Sequence, residues 1–591
     1  MTVALMRDRR LDPALAIAIT AQMLFGAAFI ASTRFDVHGT TYFTLFDDAM
    51  VSMTYARNLA AGHGLVWNAG GPAVEGYTNF LWTLWMALLH LVGIAESKIS
   101  LAVMLSGVAV LVASLVVLWK IARLVSSSLT TARIAVLTAS LCYPLIFWTL
   151  RGMEVGVMAL AIDLALLRAL TPAADGRIGL GAITCFVLLP LIRPDGIVPA
   201  VIIASFAAWS LMRRGHARAA MVTAASPVLA LLAHTWLRWS LYGDLLPNTY
   251  YLKVVGIPLI DRVSRGAATL WETVQSNLWL TCALGLIVRI DARTRPIVAV
   301  VVAQVLYSVW VGGDAWEQSH YANRYLATVL PLAIVLAVHG VEQLLALPRS
   351  VPRAIVAGIA GQILIVSAVI DSLVPSVFAP TTWTTVMILI GLCVKAVAGV
   401  WLLLAAATIG MNRHVSVVVR PAAALVFLTS ALLVTLSGTF VGEWLDGEAL
   451  HVKDDARAAR LGLELRADTL PDASIGVVWA GAIPYFAERR SIDFLGKSDA
   501  HVARLPPRRP FVPGHDKWDY AYSVGEQHPD VIVQTWRATP ADVRQIRSFG
   551  YAPLGRDAFV RTAASTVDVP KLSQAFAEFD RTAPIAPRPQ R

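Results

Sequence analysis

The sequence predicts a polytopic α-helical membrane protein with a small soluble α/β domain at its C-terminal end. Three observations carry that prediction. The 591-residue chain is 57% hydrophobic and only 15% charged, with a mean hydropathy of +0.63. Soluble domains hold about 25% charge, and a soluble protein this apolar could not cover its own surface. Apolar runs such as Leu101–Leu118 and Ala422–Leu436 reach or approach the length that crosses a hydrocarbon core of roughly 30 Å. Beyond Phe440 the apolar character stops, and residues 441–591 are charged and locally Pro-rich.

The N-terminus is basic (Arg7, Arg9, Arg10) and then apolar from Pro13 to Ser32. That span is long for a signal peptide and no clear small-residue cleavage site follows it. It reads as a retained first helix that starts in the cytoplasm. Hydropathy predicts about thirteen spans in all, over 12–33, 99–120, 133–149, 154–170, 178–193, 196–212, 219–241, 272–290, 296–312, 325–346, 353–374, 384–409 and 419–440. Phe80–Ile94, with Trp82 and Trp85, is short for a span and right for a re-entrant or interfacial helix. Leaving it out of the count places the basic loops on one side: Lys120, Arg123 and Arg133; Arg213, Arg214 and Arg218; Arg289, Arg293 and Arg295; Arg413 and Arg420. Cytoplasmic loops are the ones enriched in Lys and Arg. The net charge of +10 and pI near 9.5 follow from this bias rather than from nucleic-acid binding.

The opposite loops are then outside: 34–98, the turns near Arg151–Glu154 and Arg193–Gly196, 242–271, 312–324 and everything after Phe440. They are rich in Asp, Glu, Asn, His, Tyr and Trp. Polar chemistry gathered on one side points to a site on that side. Within 441–591, Ser474–Trp479 and Val531–Gln534 read as strands and Asp454–Arg466 as an amphipathic helix. The Pro-rich tail from about Thr582 reads as disordered. Cys142, Cys185, Cys282 and Cys393 all lie in apolar runs without metal-site spacing, so they are small core residues rather than a disulfide framework or zinc site.

The loop residues divide into a few constellations. Asp47 and Asp48 form an acidic pair just after the first helix, followed by His63, Glu75, Tyr77 and Asn79. Adjacent carboxylates near a bilayer repel each other, and one is expected to hold its proton unless a cation sits close; that suits a general base, while helix capping is the ordinary alternative. Arg151 with Glu154, and Arg193 with Asp195, sit between apolar spans. Ionisable groups at such depths usually have a task or a partner, and a local salt bridge would serve equally. Asn248 leads to Lys253, a counter-charge for a lipid phosphate or an interfacial lysine. Gly312-Gly313-Asp314 leads to His320 and Arg324, and an arginine there could grip phosphate. No complete P-loop, GxSxG, HExxH or CxxC motif is present; Gly496-Lys497-Ser498 fails as a P-loop because Ser491 stands where its first glycine should be.

In order and side, these motifs resemble the GT-C glycosyltransferases, membrane enzymes that use polyprenyl-phosphate sugars. The likeness is to the actinobacterial terminal arabinofuranosyltransferases of the B type. It rests on Asp47-Asp48 with Tyr55-Ala56-Arg57-Asn58-Leu59 and Gly62-His63-Gly64, Arg151-Gly152-Met153-Glu154, Arg193-Pro194-Asp195, Pro247-Asn248-Thr249 with Lys253, and Gly312-Gly313-Asp314 with Arg324. The segment from Trp316 to Asn323 and the stretch Glu75–Asn79 depart from the family pattern. The resemblance implies a GT-C transmembrane catalytic domain over 1–440 and an extracytoplasmic domain over 441–591. It implies inverting transfer of a sugar, arabinofuranose in the family, from a polyprenyl-phosphate donor to a cell-envelope glycan, glycolipid or protein. The enzyme would be a multi-pass protein of the bacterial plasma membrane with an outward-facing site. Asp47 or Asp48 would be the base, with Asp47 favoured. Arg324, Lys253 and Arg193 would hold donor phosphate. Glu75, Tyr77, Asn79, His63, Arg151, Glu154, Asp195, Asn248, Asp314 and His320 would line the substrate site. Two carboxylates leave open a divalent cation (Mg, Mn or Ca). A flippase for a lipid-linked glycan is the alternative, disfavoured by the absence of an evident hydropathy repeat; a glycan-binding scaffold is a third.

Overall fold

The computed structural model describes residues 11–171, 179–274, 288–315, 323–346 and 452–582, together with Cys282, Ala396 and Val400. The chain enters through α1 (Pro13–Ser32), where Asp12 caps the helix by accepting from Ala14 N at 2.9 Å and Pro13 takes the first position. Arg133 binds Asp12 at 3.0 Å, tying this start to a later helix. A hairpin, β1 (Arg34–Val37) and β2 (Thr40–Phe43), turns through His38 and Gly39. Two helices of the first loop follow, α2 (Asp47–Ala60) and α3 (Phe80–Leu91). At 12 residues α3 is too short to cross a bilayer, in line with the reading of Phe80–Ile94.

The apolar bundle comprises α4 (Glu96–Val125), α5 (Leu129–Ala139), α6 (Tyr143–Leu150), α7 (Val155–Leu170), α8 (Leu180–Ile192), α9 (Ile197–Arg213) and α10 (Ala217–Tyr242). After α11 (Asn248–Lys253) and α12 (Leu259–Val274) come α13 (Thr294–Val311), the single turn α14 (Arg324–Ala327) and α15 (Leu330–Ala346). The 30-residue α4 packs against α1, α5, α6 and α7, while α10 lies on α8 and α9. Five described helices are long and apolar enough to cross a membrane, or six when α5 and α6 are taken as one broken span. Helices stand at nine of the thirteen predicted spans. The predicted span 272–290 lies largely, 384–409 all but Ala396 and Val400, and 353–374 and 419–440 wholly, outside the described residues.

Two predicted spans are broken. The one over 133–149 bends by 48° between α5 and α6, where Pro144 sits in the first turn of α6 and cannot donate back into a continuing helix. The one over 325–346 divides at Thr328–Val329, just before Leu330 and Pro331.

The C-terminal region runs α16 (Val452–Ala467), β3 (Ser474–Val477), α17 (Ala482–Ala487), β4 (Arg490–Asp493), α18 (Ala500–Ala503), β5 (Val531–Ile532), α19 (Pro540–Ser548), β6 (Tyr551–Pro553), β7 (Phe559–Arg561) and α20 (Val569–Thr582). The predicted strands and amphipathic helix are β3, β5 and α16. The sheet order is β4-β3-β5-β7-β6, with β3 parallel to both neighbours and β7 antiparallel to both of its own. All four residues of β3 are buried, as befits a strand covered on both faces.

This region is fastened to the bundle by polar clamps. Arg466 binds Glu96 at 3.0 and 3.1 Å. Asn68 and Ser491 exchange two hydrogen bonds, 2.8 and 2.9 Å. The Lys517 ammonium is buried and donates to the carbonyls of Tyr251, Ala503 and Val255 at 2.8, 2.9 and 3.1 Å. Buried ammonium groups persist only when so satisfied, so these clamps define one relative placement.

Candidate active site

The acidic pair stands on the first turn of α2, and its position is set from behind. The N–H of Phe46 donates to the Arg151 carbonyl at 3.0 Å, which pins the head of α2 to the turn between α6 and α7. Successive residues on a helix point about 100° apart, so Asp47 and Asp48 look into different surroundings. Asp47 Oδ1 accepts from Ala482 N at 2.8 Å, at the head of α17. Burial pushes its carboxyl up to about 6, although that amide and Lys497 both oppose the shift. Gly481 is required there: a Cβ would fall 1.8 Å from the Asp47 carbonyl oxygen.

Asp48 instead faces a cavity of about 220 Å³. Its carboxylate accepts from Arg324 Nη1 at 2.8 Å and from the Lys497 ammonium. Burial alone would raise its pKa, but Lys497, Arg324 and Lys253 prevail and hold it well below the usual carboxylate range. Arg324 also makes a fork to Asp314, 2.7 Å from Nε and 2.6 Å from Nη2, and lies 5.1 Å over the Trp148 ring. Gly312 and Gly313 have φ of 95° and 74°. These left-handed conformations suit glycine and turn Asp314 back toward α14.

Lys253, the last residue of α11, lines the same cavity. Burial brings its pKa down to about 8, with Arg324 adding to the shift and Asp48 opposing it. Among the described residues no carboxylate lies within ion-pair distance of its ammonium.

The opposite wall is a second network. Arg193 donates to Glu154 at 2.7 Å and to Asp195 at 2.5 and 2.7 Å, and lies 5.2 Å over the Tyr325 ring. Asn79 Nδ2 donates to Glu154 at 3.0 Å while its Oδ1 accepts from Ser52 at 2.8 Å. Arg193 thus has two buried carboxylates of its own, and the pairs Arg151–Glu154 and Arg193–Asp195 do not behave alike. Arg151 turns away from Glu154 to bind Asp455 of α16.

The cavity therefore gathers Asp48, Lys253, Arg193, Arg324, Glu154, Asp195, Tyr77 and Asn79, with Asp314 one contact behind. It leaves out five other predicted residues. Asp47 is held by α17. Glu75 is paired with Arg238 at 3.2 Å. Asn248 binds the Gly496 and Lys497 carbonyls at 2.9 and 3.0 Å, His63 is exposed elsewhere, and Arg151 is buried against α16. His320 lies outside the described residues.

Sequence reasoning missed Lys497, whose partner Asp48 is 449 positions away. The available signal was a lysine between glycine and serine, read only as a failed P-loop. Both Asp48 oxygens face cations, and no group of three His, Cys, Asp or Glu side chains converges among the described residues.

Residues 449–569 match a family model described as a domain of unknown function, DUF8728. No curated protein matches the chain. Two solved structures of ArnT from Cupriavidus metallidurans align with it over 93% of its length. The apo form does so at 14% identity, 99% coverage of its own chain and a TM-score of 0.49. The form bound to undecaprenyl phosphate does so at 12% identity, 98% coverage and a TM-score of 0.48.

Proposed function

We propose that this protein is a GT-C-type glycosyltransferase that moves a sugar from a polyprenyl-phosphate donor to a hydroxyl of an extracytoplasmic acceptor. The observation that carries the reading is Asp48 set among Arg324, Lys497 and Lys253 on one cavity wall. A prenyl-phosphate donor needs cations where its leaving group develops charge, and the acceptor hydroxyl needs a base within reach. This wall supplies both, at the loop end of an apolar bundle that suits a prenyl chain.

In the reaction the acceptor oxygen attacks the anomeric carbon. The bond from that carbon to the phosphate oxygen breaks, prenyl phosphate leaves with the electron pair, and Asp48 takes the hydroxyl proton. One displacement inverts the anomeric centre. Asp48 paired to two cations is a weak base. A donor phosphate competes for Arg324 and Lys497, and drawing them off Asp48 raises its basicity when the donor is in place. Arg193, already neutralised by Glu154 and Asp195, orients that wall rather than binding phosphate. By resemblance the donor sugar is arabinofuranose and the acceptor a cell-envelope glycan.

The test is transfer of radiolabelled sugar from purified prenyl-phosphate donors to envelope glycans by the purified chain. Losing a charge-assisted hydrogen bond costs about 1.5–3 kcal/mol, so Arg324→Ala and Lys497→Ala should each weaken donor binding tenfold or more. Unchanged donor affinity in both variants would remove this wall from the phosphate role.

A further inference from the structure

A second cavity, larger than the first at about 610 Å³, lies in the seam between the first loop and the C-terminal region. On one side is the segment Gly62–Pro72, shaped by Asn58 Nδ2, which donates to the carbonyls of Val66 and Trp67 at 2.9 and 3.0 Å. On the other is the end of β4 and the turn that follows it. The paired hydrogen bonds between Asn68 and Ser491 close its floor. The glycosyl-transfer reading above makes no use of this groove.

Its chemistry is specific. Three arginines, Arg57, Arg489 and Arg490, meet three carboxylates, Glu488, Asp493 and Asp499, so the formal charge cancels. Arg57 and Glu488 pair at 3.3 Å. An anionic ligand would find no surplus of cations here. Two aromatic faces accompany these dipoles. Tyr522 is stacked on His501 at 4.0 Å and donates to Asp499 at 3.1 Å. Trp67 is buried, and its Nε1 has no hydrogen-bond partner among the described residues, a costly state that a ligand oxygen or a water would relieve. Mixed donors and acceptors, no net charge and aromatic surface suit a neutral polyhydroxylated ligand.

The groove also shares a wall with the reaction cavity. Asp493 holds the turn after β4 by accepting from Leu495, Gly496 and Ser498 N–H at 2.9, 3.1 and 2.7 Å. Asp493, Ser498 and Asp499 face the groove, while Lys497 of the same turn reaches Asp48 on the far side.

We propose that the seam groove is a carbohydrate-binding site that holds a neutral glycan chain, the part of the acceptor remote from the reacting hydroxyl. The assignment of that chain as acceptor rests on the glycosyl-transfer reading; the binding itself does not. A chain lying there presses on the Asp493–Asp499 turn and so bears on where Lys497 sits.

The experiment uses the full chain in detergent, with no donor present, and saturation-transfer NMR with titration of neutral oligoarabinofuranosides, oligomannosides and oligoglucosides. A sulfated oligosaccharide serves as the anionic probe. At least one neutral probe should bind, and the sulfated one should not. Tyr522→Ala should weaken binding by about tenfold, a change typical of losing a buried aromatic contact, and Ala69→Trp, which fills the groove from an exposed position, should abolish it. Both variants are to be checked for an unchanged melting temperature. Lys497→Ala should keep oligosaccharide binding while losing transfer, which separates the groove from the reaction. Binding by no neutral probe, equal binding of the sulfated probe, or binding untouched by Ala69→Trp would overturn the proposal.

Discussion

At the scale of single residues, the two neighbouring carboxylates on α2 have parted ways. Asp48 touches the cavity and Asp47 does not, so the preference for the earlier acid, natural from sequence, passes to the later one. Asp48→Asn should lower turnover by roughly a hundredfold or more with the fold intact. Asp47→Asn keeps an oxygen for the Ala482 amide and should retain most activity, shifting stability by no more than about 1 kcal/mol. Purifying both variants and comparing transfer rates with melting curves decides the matter; the reverse ranking would return the base to Asp47. Asp516 offers a test of a different kind. It is buried, neither carboxylate oxygen has a hydrogen-bond partner among the described residues, and burial pushes its pKa up to about 6. A raised carboxyl favours the protonated folded form. Stability from this group is therefore full below about pH 4, is lost as pH rises to about 6, and stays lost above it. Asp516→Asn should melt higher than wild type at about pH 8 and level with it at about pH 3.

At the scale of elements, the site depends on short turns held by many hydrogen bonds. The Asp493–Asp499 turn is gripped by Asp493 from within and by Asn248 from α11. The head of α17 is fitted to Asp47 without room for a side chain. Gly481→Ala would drive a methyl into backbone, where nothing flexible can yield. A loss of about 1–3 kcal/mol should show as a lower melting temperature together with reduced transfer; a neutral outcome would mean that α17 and α2 are not docked as described. Helices were legible in the sequence because apolar length announces them, and so were β3 and β5. The break before α6 was not legible, because apolar continuity across 133–149 reads as one span and hides the interruption at Pro144. Pairings were not legible. Arg151 with Asp455, Glu75 with Arg238 and Asp48 with Lys497 join residues far apart in the chain. Neither a period of 3.6 nor a local motif encodes which distant charge a buried charge meets. Arg193 with Asp195 was legible because the partners are two residues apart.

At the scale of the whole molecule, the bundle and the C-terminal region share one site, which fixes a requirement on topology. Cavity, first loop and C-terminal sheet must lie on the same side of the membrane. On the topology read from the basic loops, the turn at Arg213–Arg218 lies on the other. Single cysteines placed at Arg214 and Arg556, both exposed, should react oppositely with a membrane-impermeant thiol reagent: Arg556→Cys in intact cells, Arg214→Cys only after permeabilisation. Equal labelling would split the cavity across the bilayer and end the proposed mechanism. The pairing of Asp48 with Lys497 has one more consequence, and it concerns time. During synthesis Asp48 leaves the ribosome 449 residues before the lysine that completes its surroundings. A nascent chain can thread every preceding helix into the membrane and still lack one of its three cations. On the proposed mechanism, a chain that stops short of Lys497 lacks one of the cations around Asp48 and should transfer no sugar, which a truncation before Gly496 tests in the radiolabel assay.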